Sequence, residues 1–491
     1  MFVPPQQLLQ SLLDELSAHF ADDRAEASVG QSAISVTKLF AARERGGTAM
    51  APKRLTALAA MIRDLSVEAG PTLAGHLAPI ASAIEVDSAA SQSIATTLSA
   101  LEAVFADDTL SAGLSEAQRI VLLRRLANWE VADRRALIDA QTSSGDAINT
   151  SITRERFESY LRNRFGEPDL TVSDFSPLSG GFGKQTILLA VAGKAIDGQL
   201  VIRRDPVVPT VDNDCHRVAK EYPVIRAAFD RGFPAPDALW VDTDHQLLPG
   251  GDFLVMRMAA GKTGGNVFHS TEELSDDLIR VLATGVAGLH TLPSLTELGD
   301  LTDSIRTELW DLPMAESTRR YIENWRSYFL GHTHNPSPTL MALYRWMLAN
   351  VPEAPDLPVL VHGDIGFHNM LIDEGRLTAL VDWEFAHIGD PAEDLGSIRN
   401  ALGADHWEAI MAAYRAAGGV DVDPARLHFF RIWQHVRNAS ASNLAMGKFQ
   451  TGEIPDLKLA YTGHFHFPLF IQAAWDLIEA GPDGTAPIIQ Y

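Results

Sequence analysis

Asp364, Asn369 and Asp382 are the side chains from which chemistry can be read first. They lie in Val361-His-Gly-Asp-Ile-Gly-Phe-His-Asn369 and Leu380-Val-Asp-Trp-Glu384, so one aspartate precedes an asparagine by five positions and a second aspartate follows a short apolar strand. Phosphoryl transfer from a nucleotide asks for few protein groups: a carboxylate that orients the attacking hydroxyl, and oxygen ligands that hold Mg2+ against the phosphates. Asp364 suits the first role, accepting a hydrogen bond from the hydroxyl and its proton late in the transfer. The amide oxygen of Asn369 and the carboxylate of Asp382 are hard ligands of the kind Mg2+ prefers. Singly, Asp364 also suits a turn cap and Asn369 a loop brace. All three at this spacing favour the chemical reading.

The segments His362-Gly-Asp364, Asn369, Val381-Asp-Trp-Glu384 and Gly389-Asp-Pro-Ala-Glu-Asp394 resemble the aminoglycoside phosphotransferase and choline kinase group of kinase-like enzymes. The likeness covers roughly residues 153 to 491, nearest to the branch that includes kinase domains attached to some acyl-CoA dehydrogenases. It implies an α+β, bilobal protein-kinase-like fold, with a β-rich N-lobe and a helical C-lobe, using ATP and Mg2+. Two departures from protein kinases bear on the acceptor. Gly363 stands where many protein kinases carry an arginine that answers a phosphorylated activation loop. Eight residues separate Asp382 from Pro391, where a helix is predicted to begin, so there is no room for a long activation segment. The expected acceptor is therefore a hydroxyl of a small molecule: a hydroxyacyl-CoA or hydroxy acid, an amino sugar, or an amino alcohol.

Candidate nucleotide contacts come earlier in the chain. Gly180, Gly181 and Gly183, in Leu178-Ser-Gly-Gly-Phe-Gly-Lys-Gln-Thr186, would let backbone N–H groups approach phosphate oxygens without Cβ obstruction. Lys184 either reaches a phosphate or is solvated. Arg203 ends the strand Leu200-Val-Ile-Arg203, where kinases usually place a phosphate-binding lysine, and its planar fork can do that work with different geometry. Arg204 is expected on the opposite face. Glu221 is the matching carboxylate for Arg203, with Pro223 placing it at a helix entry rather than inside one. The backbone of Arg257 and Met258, after Asp252-Phe-Leu-Val-Met256, is the candidate adenine contact. Glu384 is near enough to Asp382 to assist a metal, and His362 reads as a loop brace. Arg431 and Arg437 mark the polar side of an aromatic-rich helix, for which a substrate cleft is one reading and a solvent face the default.

These residues need scaffolding, and the chain supplies three segments: 1–150 as an all-α accessory domain, 151–260 as N-lobe and 261–491 as C-lobe. Helical periodicity runs through Leu8 to Phe20, Leu55 to Leu65 and Ile120 to Trp129. The polar run Thr142 to Thr150 marks the first boundary. The roles open to the first segment are substrate lid, oligomer contact (making the chain a homo-oligomer) and plain scaffold. Strands are predicted at 186–191, 200–203 and 253–256, with a helix between the second and third. Ser270-Thr-Glu-Glu273 reads as a capping box, and so does Asp390-Pro-Ala-Glu393.

With 40 basic and 63 acidic side chains the formal charge is −23, which disfavours nucleic acid as a partner. Cys215 is the sole cysteine, so no intrachain disulfide can form. The start has neither a basic region nor a long apolar run, and no stretch approaches a membrane span, so no membrane partner is expected and a reducing cytoplasm is the simplest home. The competing function class is a nucleotide-binding scaffold without turnover, in which the helical front segment does the biological work.

Overall fold

The computed structural model describes residues 48–68, 70–86, 91–107, 115–139, 152–178, 183–206, 209–211, 216–248, 251–264, 275–292, 312–355, 357–451, 454 and 457–482. In chain order, helices α1 (Thr48–Glu68), α2 (Gly70–Val86), α3 (Ser91–Ala106), α4 (Glu116–Asp139) and α5 (Arg154–Phe165) precede strands β1 (Thr171–Leu178), β2 (Gln185–Ala192) and β3 (Gly198–Arg204). Helix α6 (Val218–Asp230) leads into β4 (Ala238–Asp242), β5 (Phe253–Arg257) and β6 (Lys262–Thr263). Next come α7 (Asp276–His290), α8 (Met314–His332), α9 (Pro338–Ala349) and β7 (Val359–Val361). Strands β8 (Met370–Asp373), β9 (Arg376–Leu380) and β10 (His387–Gly389) precede α10 (Ala392–Leu402), α11 (Trp407–Ala416) and α12 (Pro424–Gln450). The described chain closes with α13 (Leu457–Tyr461) and α14 (Phe467–Ala480).

Contacts divide the chain into two compact units. The first takes Met1–Ile148, Ile322–Val351 and Ile432–Gly481. Its helices α1 to α4 bury Leu58, Ile62, Leu65, Leu77, Leu101 and Leu126 completely, the apolar stripe that the helical spacing predicts. Polar ties bind these helices to α9: Ser337 at its start donates its hydroxyl to Glu130 (2.9 Å) and its N–H to Glu102 (2.9 Å). The helices expected as a domain of their own over 1–150 therefore pack together with α9. The helix expected around Leu8 to Phe20 lies outside the described residues.

The second unit takes Asn149–Tyr321, Pro352–Arg431 and Pro482–Tyr491. It holds a five-stranded antiparallel sheet of order β1-β2-β3-β5-β4. The three strands and the intervening helix predicted from sequence are present, joined by β1 and β4, which sequence did not mark. Strand alternation sorts β5: Phe253 and Val255 face a cluster with Phe157, Tyr160 and Leu161 of α5, whereas Leu254 and Met256 face one with Val224 and Ile225 of α6. Leu200 and Ile202 join the first cluster, and Arg204 beyond them is buried, so Arg203 is turned to the α6 face. Below the sheet, β6-β8-β9 and β10-β7 form two small antiparallel sheets among α7, α10 and α11. This is the kinase-like α+β architecture expected.

Two capping expectations need correction. Residues 270–273 lie outside the described residues, and α7 opens at Asp276, with the Ser275 hydroxyl accepting from the N–H of Leu278 (3.3 Å). At α10, Asp390 does cap, accepting from the N–H of Ala392 (2.8 Å). Glu393, however, completes no box. Its carboxylate pairs instead with His387 (3.2 Å), and Arg426 donates to both oxygens of Asp390.

Candidate active site

The loop after β7 is held from beneath by one buried carboxylate. Asp394, in the first turn of α10, accepts from the N–H groups of His362 (2.9 Å) and Gly363 (2.8 Å). His290 Nε2 lies 3.1 Å from the same carboxylate, and its Nδ1 meets the Tyr414 hydroxyl at 2.8 Å. Burial works to raise the pKa of Asp394, but the His290 hydrogen bond and the charges of His290 and His362 win and hold it below the ordinary carboxylate value. His362 braces the loop as expected: it is fully buried, its Nε2 lies 3.1 Å from the carbonyl of Val381, and burial depresses its pKa.

Gly363 has a physical reason of its own. Its φ is +79°, and a Cβ there would stand 2.7 Å from the carbonyl oxygen of Phe385. Gly363→Ala is expected to lower stability by about 2 kcal/mol or more, through left-handed strain plus that clash. A melting temperature unchanged in the variant would contradict this.

A 3-10 turn at Phe367–Asn369 returns the chain to Asp364. The Asn369 amide donates to the Asp364 carbonyl oxygen (2.8 Å) and to its Oδ2 (3.1 Å). Val381 N–H donates to the Asn369 carbonyl oxygen (2.8 Å), and β8 pairs with β9 in the register Met370↔Leu380. Asp382 is thereby brought next to Asn369, and it adopts φ +67°, a left-handed conformation uncommon for non-glycine residues.

Across from this loop, Arg203 links both halves of the site. Its Nε donates to Glu221 Oε2 (3.0 Å), one of its Nη atoms ion-pairs with Asp382 Oδ1, and Glu384 lies 3.6 Å from the same nitrogen. Burial acts against its charge, but the carboxylates of Asp382, Glu221 and Glu384 outweigh burial and raise its pKa, so the guanidinium is permanently charged. Glu221 sits in the first turn of α6, as Pro223 suggested, and Pro223 continues inside the helix.

Lys184 is neither solvated nor open to solvent for a phosphate. Its side chain is 6% exposed, with Nζ 2.7 Å from Asp205, bonded to the His216 carbonyl oxygen, and 3.8 and 3.9 Å from Glu221 and Glu384. Asp205 also accepts from the N–H of Val218 at the start of α6, so it ties β3, Lys184 and α6 together. Around Arg203 and Lys184 stand four carboxylates: Asp205, Glu221, Asp382 and Glu384. Burial first, and the Asp382 charge second, push Glu384 up to about 8. That surplus of negative charge is what a divalent cation neutralises, so the donor set fits Mg2+. Among the described residues no three His, Cys, Asp or Glu side chains form a metal-holding group. Mg2+ commonly rests on one or two protein oxygens and completes its shell with water and phosphate, which suits Asn369 and Asp382.

Gly180 and Gly181 lie outside the described residues. Gly183 is described, and a Cβ on it would sit 3.5 Å from Glu384 Oε2, so that end of the glycine run lies against the acidic cluster. At the end of β5 the N–H groups of Arg257 and Met258 are already committed, to Asp237 (2.9 Å) and Gln199 (3.0 Å) carbonyl oxygens. Neither N–H is available to an adenine ring. Sequence reasoning missed Asp205 and His368. His368 Nε2 lies 3.4 Å from Asp364 Oδ2, and its ring fills the space a side chain at Gly366 would take, 2.8 Å from that position. Burial acts to lower the His368 pKa, but the Asp364 carboxylate prevails and raises it. The signal for His368 was the glycine two places before it; Asp205, following Arg203-Arg204, carried none.

A family model described as "Phosphotransferase enzyme family" matches residues 174–430, just over half of the chain. The chain is 26% identical over 299 residues to acyl-CoA dehydrogenase family member 11 of Gallus gallus, covering 56% of this chain and 36% of that protein. It is 28% identical over 202 residues to viomycin phosphotransferase of Streptomyces vinaceus, covering 39% of this chain and 63% of that one. Among solved structures, a putative aminoglycoside phosphotransferase from Ralstonia eutropha JMP134 aligns with a TM-score of 0.48 and 20% identity, over 67% of this chain and 99% of that one. The chain spans about a third of the length of the acyl-CoA dehydrogenase family members it matches, 36% in the case above. Among the described residues no helix is long and apolar enough to cross a membrane. The matched region contains Arg203, Glu221, Asp364, Asn369 and Asp382 alike, and with the kinase-like sheet order it makes this chain a member of the phosphotransferase enzyme family.

Proposed function

We propose that the protein transfers the γ-phosphoryl group of ATP, with Mg2+, to a hydroxyl of a small molecule. The observation that carries this reading is the single junction of Asp364, Asn369, Asp382 and Arg203, in which each side chain is positioned by hydrogen bonds or ion pairs. Asp364 orients the acceptor hydroxyl and takes its proton as the new P–O bond forms. Asn369 and Asp382 hold Mg2+, which when bound neutralises charge on the phosphate oxygens. Arg203, kept in place by Glu221, faces those phosphates, and Lys184 with Asp205 fixes the start of α6 and hence Glu221. In this reading Gly180, Gly181 and Gly183 supply backbone N–H groups to the phosphates. Adenine recognition at Arg257 and Met258 falls to their carbonyl oxygens, since both N–H groups are engaged.

The absence of room for a long activation segment between Asp382 and Pro391 favours a small acceptor. Hydroxyacyl-CoA or hydroxy acid, amino sugar and amino alcohol are the three classes to test. We rank the first ahead of the others, a preference supported by the likeness to an acyl-CoA dehydrogenase family member. An ADP-release screen across the three classes decides among them. Stabilisation by Mg-ATP without ADP release from any hydroxyl compound would instead favour a non-catalytic nucleotide-binding protein. Phosphate transfer onto added polypeptides would revive the protein-kinase alternative.

A further inference from the structure

We propose that Arg431 is the centre of an oxyanion-binding subsite in the second unit, built to recognise a phosphate or carboxylate group. Arg431 is 8% exposed, and among the described residues the charge acting on it is another cation, Arg399, rather than an acid. A buried guanidinium without a counter-charge is costly to keep unless an anion meets it. Burial and Arg399 together pull its pKa down to about 10.

The guanidinium is also pre-oriented. Arg431 Nε donates to Asn400 Oδ1 (2.9 Å), and the Asn400 amide donates back to the Arg431 carbonyl oxygen (2.9 Å). That clamp occupies Nε and leaves the two Nη groups to meet an oxyanion as a fork. His428, one helical turn earlier on α12 and 7% exposed, presents a buried Nδ1 with no hydrogen-bond partner among the described residues. Burial first and Arg431 second push its pKa down to about 4, so at neutral pH its ring is uncharged and Nδ1 can carry either a proton or a lone pair. Arg399 is partly satisfied, with Asp405 and Glu408 near it and its guanidinium 5.6 Å from the Trp407 ring. It contributes positive potential and Arg431 the direct contact.

The position is rigid and tied to the catalytic loop. A Cβ on Gly396 would lie 3.0 Å from the Arg431 nitrogen, so α10 and α12 meet backbone to backbone there. Two residues earlier on α10, Asp394 holds the loop that carries Asp364. Resting on the phosphotransferase reading above, the subsite takes an anionic group of the acceptor, which favours hydroxy acids and phosphate-bearing alcohols over cationic amino sugars and amino alcohols.

The test is thermal denaturation of the full chain with inorganic phosphate and with glycerol 3-phosphate, for wild type, Arg431→Met and Arg203→Met. Both anions are expected to raise the wild-type Tm. Arg431→Met is expected to lose the part of that rise that Arg203→Met retains, while its anion-free Tm holds or increases, because a buried uncompensated charge is gone. Arg203→Met should keep the Arg431-dependent part. Saturation by the monoester at lower concentration assigns the subsite to the acceptor, and equal saturation assigns it to free phosphate; either supports an oxyanion site. A phosphate-dependent rise that survives undiminished in Arg431→Met overturns the proposal, as does an anion-free Tm several degrees below wild type, the mark of a structural prop. A rise lost in Arg203→Met alone also overturns it while leaving the nucleotide site standing. An Arg431-dependent rise with no ADP released from any acceptor upholds the subsite and removes the transferase reading instead.

Discussion

Asp364→Asn is expected to bind Mg-ATP and to lose transfer, with kcat lowered on the order of 10²- to 10⁴-fold. The substitution is nearly isosteric, and an asparagine oxygen can still accept from the Asn369 amide that bonds Asp364 now. Loop geometry should therefore survive, as should Arg203, Glu221 and Asp382, which do not depend on the charge at 364. What disappears is a carboxylate able to orient the hydroxyl and receive its proton. Steady-state ADP release with a competent acceptor, set beside a nucleotide-binding isotherm, separates the two effects. Near-normal turnover in the variant would remove Asp364 from the mechanism and the proposed chemistry with it.

The parts legible in the sequence were those set by local spacing. The Asp364–Asn369 interval closes one 3-10 turn, and the apolar run up to Asp382 is a strand whose neighbour begins at Met370. Period-two burial likewise announced β3 and β5. What stayed hidden depended on contacts between distant segments. Lys184 has the composition of a solvated lysine, and its burial against Asp205, Glu221 and Glu384 arises from the fold of β2, β3 and α6. Glu393 matched a capping box, but its carboxylate pairs with His387, while the capping Asp390 is also bound by Arg426, 36 positions away. The committed N–H groups of Arg257 and Met258 belong to partners at Asp237 and Gln199, which no local pattern names. Arg431 reads as an ordinary solvent-facing arginine until burial, and a neighbouring cation in place of an acid among the described residues, set it apart.

Arg203→Met is expected to weaken the folded state by about 3–5 kcal/mol and to reduce nucleotide affinity at the same time. Removing the guanidinium leaves Glu221, which is 1% exposed, with Lys184 at 3.8 Å as its remaining cation among the described residues, and leaves Asp382 and Glu384 facing each other's charge. Glu221 already has a pKa raised by burial, with Arg203 the largest opposing influence, so its ionised form loses most of its support. Its pKa and that of Glu384 should climb further. An acid whose folded-state pKa exceeds its unfolded value loses folding stability as pH rises between the two, so the deficit of Arg203→Met should grow from acid to neutral pH. Arg203→Lys tests the geometry separately from the charge. An ammonium is a point charge that cannot reach Glu221 and Asp382 as two prongs of one rigid fork, so the lysine variant should regain much of the stability and less of the nucleotide affinity. Chemical denaturation at pH 5 and pH 7.5, with Mg-ATP titrations on the same samples, measures both. Equal stability of Arg203→Met and wild type at the two pH values would mean that the carboxylate cluster does not depend on Arg203 for its charge balance.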